Sequence, residues 1–219
     1  MKLALFDLDH TLLAGDSDVL WCDFLMRQRV LDRAEFAPRN ADMEARYQAG
    51  TVDAQAFADF YVGTLAGRTP QQWEPLRQAF LADEIVPRIP AAAQDLVNRH
   101  LDDGDLVVMT TATNRFITEL TALYLGIEHL LATETELDGA GVFTGRTRGT
   151  LNMREGKVTR LHEWLAARGH ALARFSSIAY SDSINDLPLL QAVTRPVTVN
   201  ADPRLAAIAS GSGWEMLRF

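Results

Sequence analysis

The chain has 219 residues, of which 47% are hydrophobic and 23% are charged, a balance typical of an ordinary globular protein. Its formal net charge is −8 and it contains no basic run, which argues against a nucleic-acid-binding protein. No stretch approaches the ~18 uninterrupted apolar residues of a transmembrane helix, so no membrane association is expected. The only cysteine, Cys22, fits a reducing cytoplasm, and two early aspartates interrupt the apolar run that a signal peptide would need.

The chain begins with an apolar run of strand length that ends in Asp7 and Asp9. Alternate side chains of a strand share a face, so these carboxylates are expected to lie about 7 Å apart along the chain. Two carboxylates at the end of a buried strand repel each other, unless a cation lies between them or one of them holds a proton. Two solvated aspartates are the simpler alternative, and the Asp-x-Asp pattern alone favours it.

Residues 14–86 have the pattern of consecutive helices and contain no strand pattern. Four of these helices have recognisable first residues or caps, at Asp16, Asp32, Asp53 and Thr69. About seventy helical residues are too many for a simple crossover between two strands, and Pro87 and Pro90 follow them. We therefore predict an inserted helical cap domain at 14–86 and a core domain made of 1–13 and 87–219.

Strands and helices alternate in the remainder, which predicts an α/β fold with a parallel, doubly wound sheet. Helices are expected at 91–101, 115–125, 157–168 and 186–192. Strands are expected at 105–110, 127–133, 175–181 and 196–199, with a small hairpin at 136–147 and a short edge strand at 214–217.

Three further polar stretches follow strands or begin helices. Thr110 to Asn114 offers hydroxyls and free amides that suit a phosphate, although a helix cap alone explains them as well or better. Lys157 begins a helix and is either a solvated lysine or a cation that offsets an anion. Residues 182–186 offer carboxylate and amide oxygens, the ligands that Mg²⁺ prefers, or only a capped helix start.

Taken together and in order, these stretches resemble the four motifs of the haloacid dehalogenase-like superfamily. The first is Phe-Asp-x-Asp-x-Thr-Leu at 6–12, and the fourth is Asp-x-x-Asn-Asp at 182–186. The closest resemblance is to the phosphoserine phosphatase-like branch, which carries a helical cap between its first and second motifs. The resemblance implies a Rossmann-like core and a phosphatase activity.

The resemblance also implies a role for each matching residue. Asp7 would be the nucleophile that forms an aspartyl-phosphate, and Asp9 the general acid and base. Thr111 and Lys157 would bind the phosphoryl group. Further substrate contacts would come from the Ala112 amide and Thr113, with the choice among Thr110, Thr111 and Thr113 left open. The implied Mg²⁺ ligands are the Asp7 side chain, the Asp9 carbonyl and Asp182, supported by Asn185 and Asp186.

Asp16 lies nine residues after Asp7, where phosphoserine phosphatases carry a glutamate for the substrate ammonium. A helix cap is an equally good reading of Asp16, and the cap arginines Arg27 and Arg46 could meet a substrate carboxylate. The expected substrate is a small, amino-bearing phosphorylated metabolite of an amino-acid pathway; phosphoserine and histidinol phosphate both fit, and another phosphomonoester is left open. A phosphotransferase or mutase, and a non-catalytic phosphoryl-binding regulator, remain alternatives. The residues leave open whether the chain is a monomer or a homodimer.

Overall fold

A seven-stranded sheet forms the centre of the computed structural model, which describes residues 1–219. The strands are β1 (Lys2–Phe6), β2 (Leu106–Asn114), β3 (His129–Leu137), β4 (Phe143–Arg148), β5 (Ser176–Ser181), β6 (Arg195–Val199) and β7 (Glu215–Leu217). Their order across the sheet is β4-β3-β2-β1-β5-β6-β7, and only β4 runs antiparallel to its neighbour. The predicted doubly wound α/β fold is confirmed.

Four helices lie between β1 and β2 along the chain. They are α1 (Ser17–Arg27), α2 (Arg33–Gln48), α3 (Ala54–Gly63) and α4 (Pro70–Phe80). Each begins after a residue whose side chain accepts a hydrogen bond from the first-turn amides, namely Asp16, Asp32, Asp53 and Thr69. A π-helical turn (Leu81–Ile85) and a 3₁₀ turn (Val86–Arg88) then lead back to the sheet.

The remaining helices cover the two faces of the sheet. They are α5 (Ala91–Asp102), α6 (Arg115–Tyr124), α7 (Glu155–Ala166), α8 (Leu187–Ala192) and α9 (Pro203–Ser212). None of the helices combines the length and the apolar character needed to span a bilayer. The strand β2 extends four residues beyond its predicted end, so the polar run after Met109 belongs to the strand itself.

The apolar core shows how the inserted helices relate to the sheet. Ala4 and Phe6 of β1 belong to a cluster of 29 buried residues that also contains Trp21 of α1, Trp73 of α4 and Phe80 at the end of α4. A separate cluster joins residues of α1, α2 and α3 to Met153. The helices therefore share apolar contacts with the core, and their division into a separate cap domain stays a prediction.

Candidate active site

Parallel strand ends bring the first and fourth polar stretches together. β1 lies between β2 and β5, with Phe6 opposite both Met109 and Tyr180. Asp7 therefore follows β1 at the same sheet edge where Asp182 follows β5. This is the edge at which open α/β sheets bind their ligands.

Lys157 forms the electrostatic centre of this edge. Its Nζ lies 2.7 Å from Asp7 Oδ1 and 2.7 Å from Asp186 Oδ2, and only 2% of its residue surface is exposed. Burial opposes its charge, but Asp186 and Asp7 outweigh burial and raise the pKa of Lys157 above its usual range. Burial raises the pKa of Asp7 to about 7, although Lys157 acts in the opposite direction. One lysine thus holds two buried carboxylates, and Asp186 receives a further hydrogen bond from Ser181.

Thr11 joins Asp7 to Asp182. Its hydroxyl oxygen is 3.2 Å from Asp7 Oδ2 and 3.2 Å from Asp182 Oδ1, and it accepts a hydrogen bond from the Asp182 amide at 3.0 Å. A hydroxyl has one hydrogen to donate, so it serves only one of the two carboxylates at a time. Burial, Asp7 and Asp186 raise the pKa of Asp182 well above its usual range. Lys157 compensates Asp7, whereas no basic group of the protein lowers the pKa of Asp182.

These oxygens fit a divalent cation. Hard oxygen donors with uncompensated charge are the donor set of Mg²⁺. No three side chains of His, Cys, Asp or Glu converge into a complete metal cluster. A cation held by the carboxylates of Asp7 and Asp182 would therefore need other oxygens, and the Asp9 carbonyl is the predicted one.

Asp9 is held on the other side of Asp7, by α1 and β2. Its Oδ1 accepts from the Ser17 amide at 2.6 Å. Its Oδ2 lies 3.2 Å from Thr111 Oγ1 and 3.1 Å from Thr113 Oγ1. Thr110 instead accepts from the Asn152 side chain at 3.0 Å. The structure thus brings Thr111 and Thr113 to the site and turns Thr110 away from it.

Asp16 does act as a helix cap. Its Oδ1 accepts from the amides of Asp18 at 2.9 Å and Val19 at 3.0 Å. Burial, together with the nearby Asp9, raises the pKa of Asp16 to about 8. Its predicted contact with a substrate ammonium remains a prediction.

The other predicted residues occupy varied positions. Asn185 reaches the inserted helices through its Nδ2, which lies 3.5 Å from the Tyr47 carbonyl. Its Oδ1 accepts a hydrogen bond from Arg154 at 3.3 Å. Ala112 packs against the cluster formed by α1 to α3. Arg27 and Arg46 pair with Glu84 and Asp42, respectively.

The end of α2 and the residues that follow it are held to the core through their main chain. Arg154 donates to the carbonyls of Gly50 and Val52, both at 3.2 Å. Arg204 donates to the carbonyls of Ala49 at 2.9 Å and Gln48 at 3.0 Å. We call residues 47–52 the docked segment. It places Tyr47 beside Asp182 in a cavity of about 400 Å³.

Sequence reasoning missed four residues that shape the site. Thr11 lies within the first motif, but the motif does not predict that its hydroxyl lies between Asp7 and Asp182. Asn152, Arg154 and Tyr47 lie outside every motif, and no local pattern distinguishes them. Asn152 is fully buried and donates to the carbonyls of Thr111 at 2.9 Å and Leu131 at 3.0 Å, beside the irregularity where β2 and β3 change register.

Comparison with known proteins now identifies the family. The model of the haloacid dehalogenase-like hydrolases matches residues 4–191, which include Asp7, Asp9, Lys157 and Asp182. The chain belongs to the haloacid dehalogenase-like hydrolase family. The predicted resemblance is thereby confirmed.

This hydrolase is similar over its whole length to two named phosphatases. It is 38% identical to histidinol-phosphatase of Neisseria meningitidis, covering 100% of the chain and 99% of the relative. It is 30% identical to phosphoserine phosphatase SerB1 of Mycobacterium tuberculosis, covering 99% of the chain and 70% of the relative. The prediction that the chain is an enzyme of the phosphatase type is confirmed.

Solved structures agree with the fold of the hydrolase. A protein of unknown function from Bordetella pertussis superposes with a TM-score of 0.93 at 47% identity, covering 99% of this chain and 97% of that one. A substrate-bound phosphoserine phosphatase superposes with a TM-score of 0.70 at 16% identity, covering 99% and 92%. The second likeness is one of fold alone.

Proposed function

We propose that this hydrolase is a Mg²⁺-dependent phosphomonoesterase that works through an aspartyl-phosphate on Asp7. Its substrate is a small, amino-bearing phosphorylated metabolite. The observation that carries the proposal is that the two carboxylates after β1, Asp7 and Asp9, have different hydrogen-bond partners. Asp7 is paired with buried Lys157, whereas Asp9 is held by the Ser17 amide and two threonine hydroxyls. Different surroundings suit the two residues to different chemical roles.

In the first half of the reaction, an Asp7 carboxylate oxygen attacks phosphorus and the bond to the ester oxygen breaks. Asp9 gives a proton to the leaving alkoxide, so the alcohol departs neutral. In the second half, water attacks the phosphorus of the aspartyl-phosphate and Asp9 takes its proton. The bond between Asp7 and phosphorus breaks, which releases phosphate and restores the carboxylate.

Lys157 acts on the phosphoryl group, and the two threonines act on Asp9. Lys157 offsets charge on Asp7 and on the transferred oxygens, and the hydroxyls of Thr111 and Thr113 lie close enough to Asp9 to orient its carboxylate. Asp7 and Asp182 would hold Mg²⁺, with the Asp9 carbonyl, while Asp186 holds Lys157 in place. When bound, the cation would neutralise phosphoryl charge and keep the Asp7 carboxylate ionised.

The amino-bearing substrate is supported by relatives and by charge. One relative, matched over 99% of its length, is named a histidinol-phosphatase, and another, matched over 70% of its length, is named a phosphoserine phosphatase. The phosphate esters in both names carry an amino group. Asp16 places a buried carboxylate near Asp9, where the leaving group would lie. A role in an amino-acid pathway and a cytoplasmic location are part of the same proposal.

Phosphate release from a panel of esters tests the proposal. We expect release from histidinol phosphate or phosphoserine with Mg²⁺ and none with chelator. Asp7→Asn should abolish turnover while the protein stays folded at the assay temperature. Near-wild-type turnover by this variant would remove Asp7 as the nucleophile, and transfer to an added alcohol in place of release would favour a phosphotransferase.

Asp9→Asn tests the acid and base role separately. The variant should slow both half-reactions, each by about 10²–10⁴-fold. Rapid quenching in acid, with hydroxylamine used to detect the acyl phosphate on the protein, follows the two halves. Unchanged rates of formation and breakdown would contradict the assignment of Asp9.

A further inference from the structure

Asp18 is a buried carboxylate that the mechanism above does not use. It lies in the first turn of α1 and only 2% of its surface is exposed. Its Oδ2 is 3.0 Å from Thr113 Oγ1, and its Oδ1 has no hydrogen-bond partner in the protein. A buried carboxylate oxygen without a donor is costly, so this atom calls for a donor from outside the chain.

Even the contact with Thr113 does not satisfy Asp18. The same hydroxyl lies 3.1 Å from Asp9 Oδ2, and it has one hydrogen for the two carboxylates. Ser17 Oγ, 3.1 Å from Thr113 Oγ1, can only add a donor to the threonine. The Thr113 hydroxyl therefore lies between Asp18 and Asp9, and Asp18 has no side-chain donor that it does not share with Asp9.

The charged neighbours of Asp18 are acidic. Burial raises its pKa well above the usual range, and Asp16 and Asp9 raise it further. Glu44 of α2 likewise contributes to the raised pKa of Asp16. The chain has only two lysines: Lys157 is bound between Asp7 and Asp186, and Lys2 is on the surface. No basic group of the protein therefore stabilises the ionised forms of Asp16 and Asp18, and a cationic group on the substrate would do so.

Arginines that flank the site are occupied elsewhere. Arg27 and Arg46 form ion pairs with Glu84 and Asp42. Arg154 and Arg204 donate to carbonyls of the docked segment. No arginine or lysine acts on the pKa of Asp16 or Asp18, so a substrate carboxylate beside them would meet acidic groups and no cation.

We propose that Asp18 is a specificity-determining residue that receives the ammonium group of the leaving alcohol. This chain would then select phosphate esters of amino alcohols over those of amino acids. The inference rests on the proposed function, because Asp9 locates the leaving group. It adds Asp18 to Asp16 as a protein carboxylate for the substrate ammonium. It also narrows the proposed substrates to phosphate esters that carry no carboxylate themselves.

Two matched pairs of esters test the inference on the wild-type protein. The first pair is histidinol phosphate and its analogue that lacks only the amine. The second is 2-aminoethyl phosphate and phosphoserine, which differ by one carboxylate. We expect the amine to raise kcat/KM by about tenfold to a hundredfold, since a hydrogen bond to a buried charge has that effect. The added carboxylate should lower kcat/KM.

The variant Asp18→Asn should lose most of the preference for the amine, mainly through KM for the amino-bearing ester. Asp23→Asn is the matched control, because Asp23 lies on the same helix and accepts from Asn40. Its preference should equal that of the wild type. A variant that merely disturbed α1 would lower turnover of both esters alike and leave their ratio unchanged.

The inference is overturned if the wild type has the same kcat/KM for phosphoserine and for 2-aminoethyl phosphate. It is overturned equally if kcat/KM is the same for histidinol phosphate and for its analogue without the amine. It is also overturned if Asp18→Asn keeps the wild-type ratio. In all of these cases, Mg²⁺-dependent release from p-nitrophenyl phosphate would show that the proposed Mg²⁺-dependent phosphomonoesterase activity still stands. The absence of release from every ester would overturn the proposed function and this inference with it. Should Asp18→Asn fail to fold, the wild-type ester pairs decide the question alone.

Discussion

Replacing Lys157 by methionine removes the one cation that two buried carboxylates share. Asp7 and Asp186 each lie 2.7 Å from its Nζ and would remain in place without a partner. Breaking a buried ion pair by removing one member costs about 3–5 kcal/mol of unfolding free energy. For a chain of this size, 1 kcal/mol corresponds to about 2–4 °C, so the unfolding midpoint should fall by about 6–20 °C.

The loss should depend on pH, because the remaining carboxylates can be neutralised. Lys157 lowers the pKa of Asp7, which burial nevertheless raises to about 7 in the wild type. Without the lysine, this pKa rises further, so the Asp7 contribution to stability is present below pH 4 and is lost as the pH rises through the folded-state pKa. The deficit of Lys157→Met relative to the wild type should therefore be smaller at pH 5 than at pH 8.

Differential scanning calorimetry at both pH values, with chelator present, measures these shifts. Lys2→Met is the matched control, because the Lys2 side chain is 61% exposed and its Nζ lies 3.5 Å from Asp103 and 3.8 Å from Asp105, so both ion pairs are open to solvent at the lysine. Such pairs contribute about 0–1 kcal/mol, so the control should stay within about 4 °C of the wild type. A midpoint for Lys157→Met within that range at pH 8 would refute the argument that the buried pair needs its cation.

Two further variants test the site from other sides. Asp16→Asn keeps the helix cap and removes the charge. Burial raises the pKa of Asp16 to about 8, so the stabilising contribution of this carboxyl group in the wild type is present below pH 4 and is lost as the pH rises through 8. The midpoint of the variant minus that of the wild type, followed by circular dichroism, should therefore increase from pH 4 to pH 8, and a flat difference would contradict the burial of this charge. Asn152→Ala leaves the carbonyls of Thr111 and Leu131 without donors and should cost about 2–4 kcal/mol, or about 4–16 °C, in thermal unfolding. The exposed Asn98→Ala should change little, and an equal effect of both alanine variants would show that the Asn152 hydrogen bonds do not stabilise this strand edge.

The sequence predicted the residues that follow strand ends, because that placement depends on local pattern and a general property of parallel sheets. Asp7, Asp182 and Lys157 do meet at one edge. Asp18 and Asn152 were not predicted, because their surroundings arise from chain segments far apart. Asp18 meets Thr113 across 95 positions and Asn152 meets Thr110 across 42. No spacing rule connects such partners before the fold is known.

Helix caps illustrate the other limit. Asp16 was equally readable as a cap and as a substrate contact, and both readings need the same residue type. The structure shows the cap through Oδ1, whereas a contact with substrate depends on a molecule outside the chain. Sequence and structure together therefore define where Asp16 is and leave its second role to experiment.

The way in which the docked segment is held has a consequence for how this enzyme can diverge. Arg154 and Arg204 bind four main-chain carbonyls there, and carbonyls are the same in every amino acid. The exposed side chains of Gln48 and Ala49 can thus be exchanged over generations without losing the attachment, whereas Val52 is buried in the cluster of α1 to α3. Gly50 is another exception, because its φ is +68° and a Cβ would lie 2.9 Å from Arg204 Nη1. Gln48, which lines the same cavity as Asp182, can therefore change while Tyr47 stays stacked on Phe57, so the lining of the proposed substrate site can drift while Asp7, Asp9 and Asp182 stay fixed.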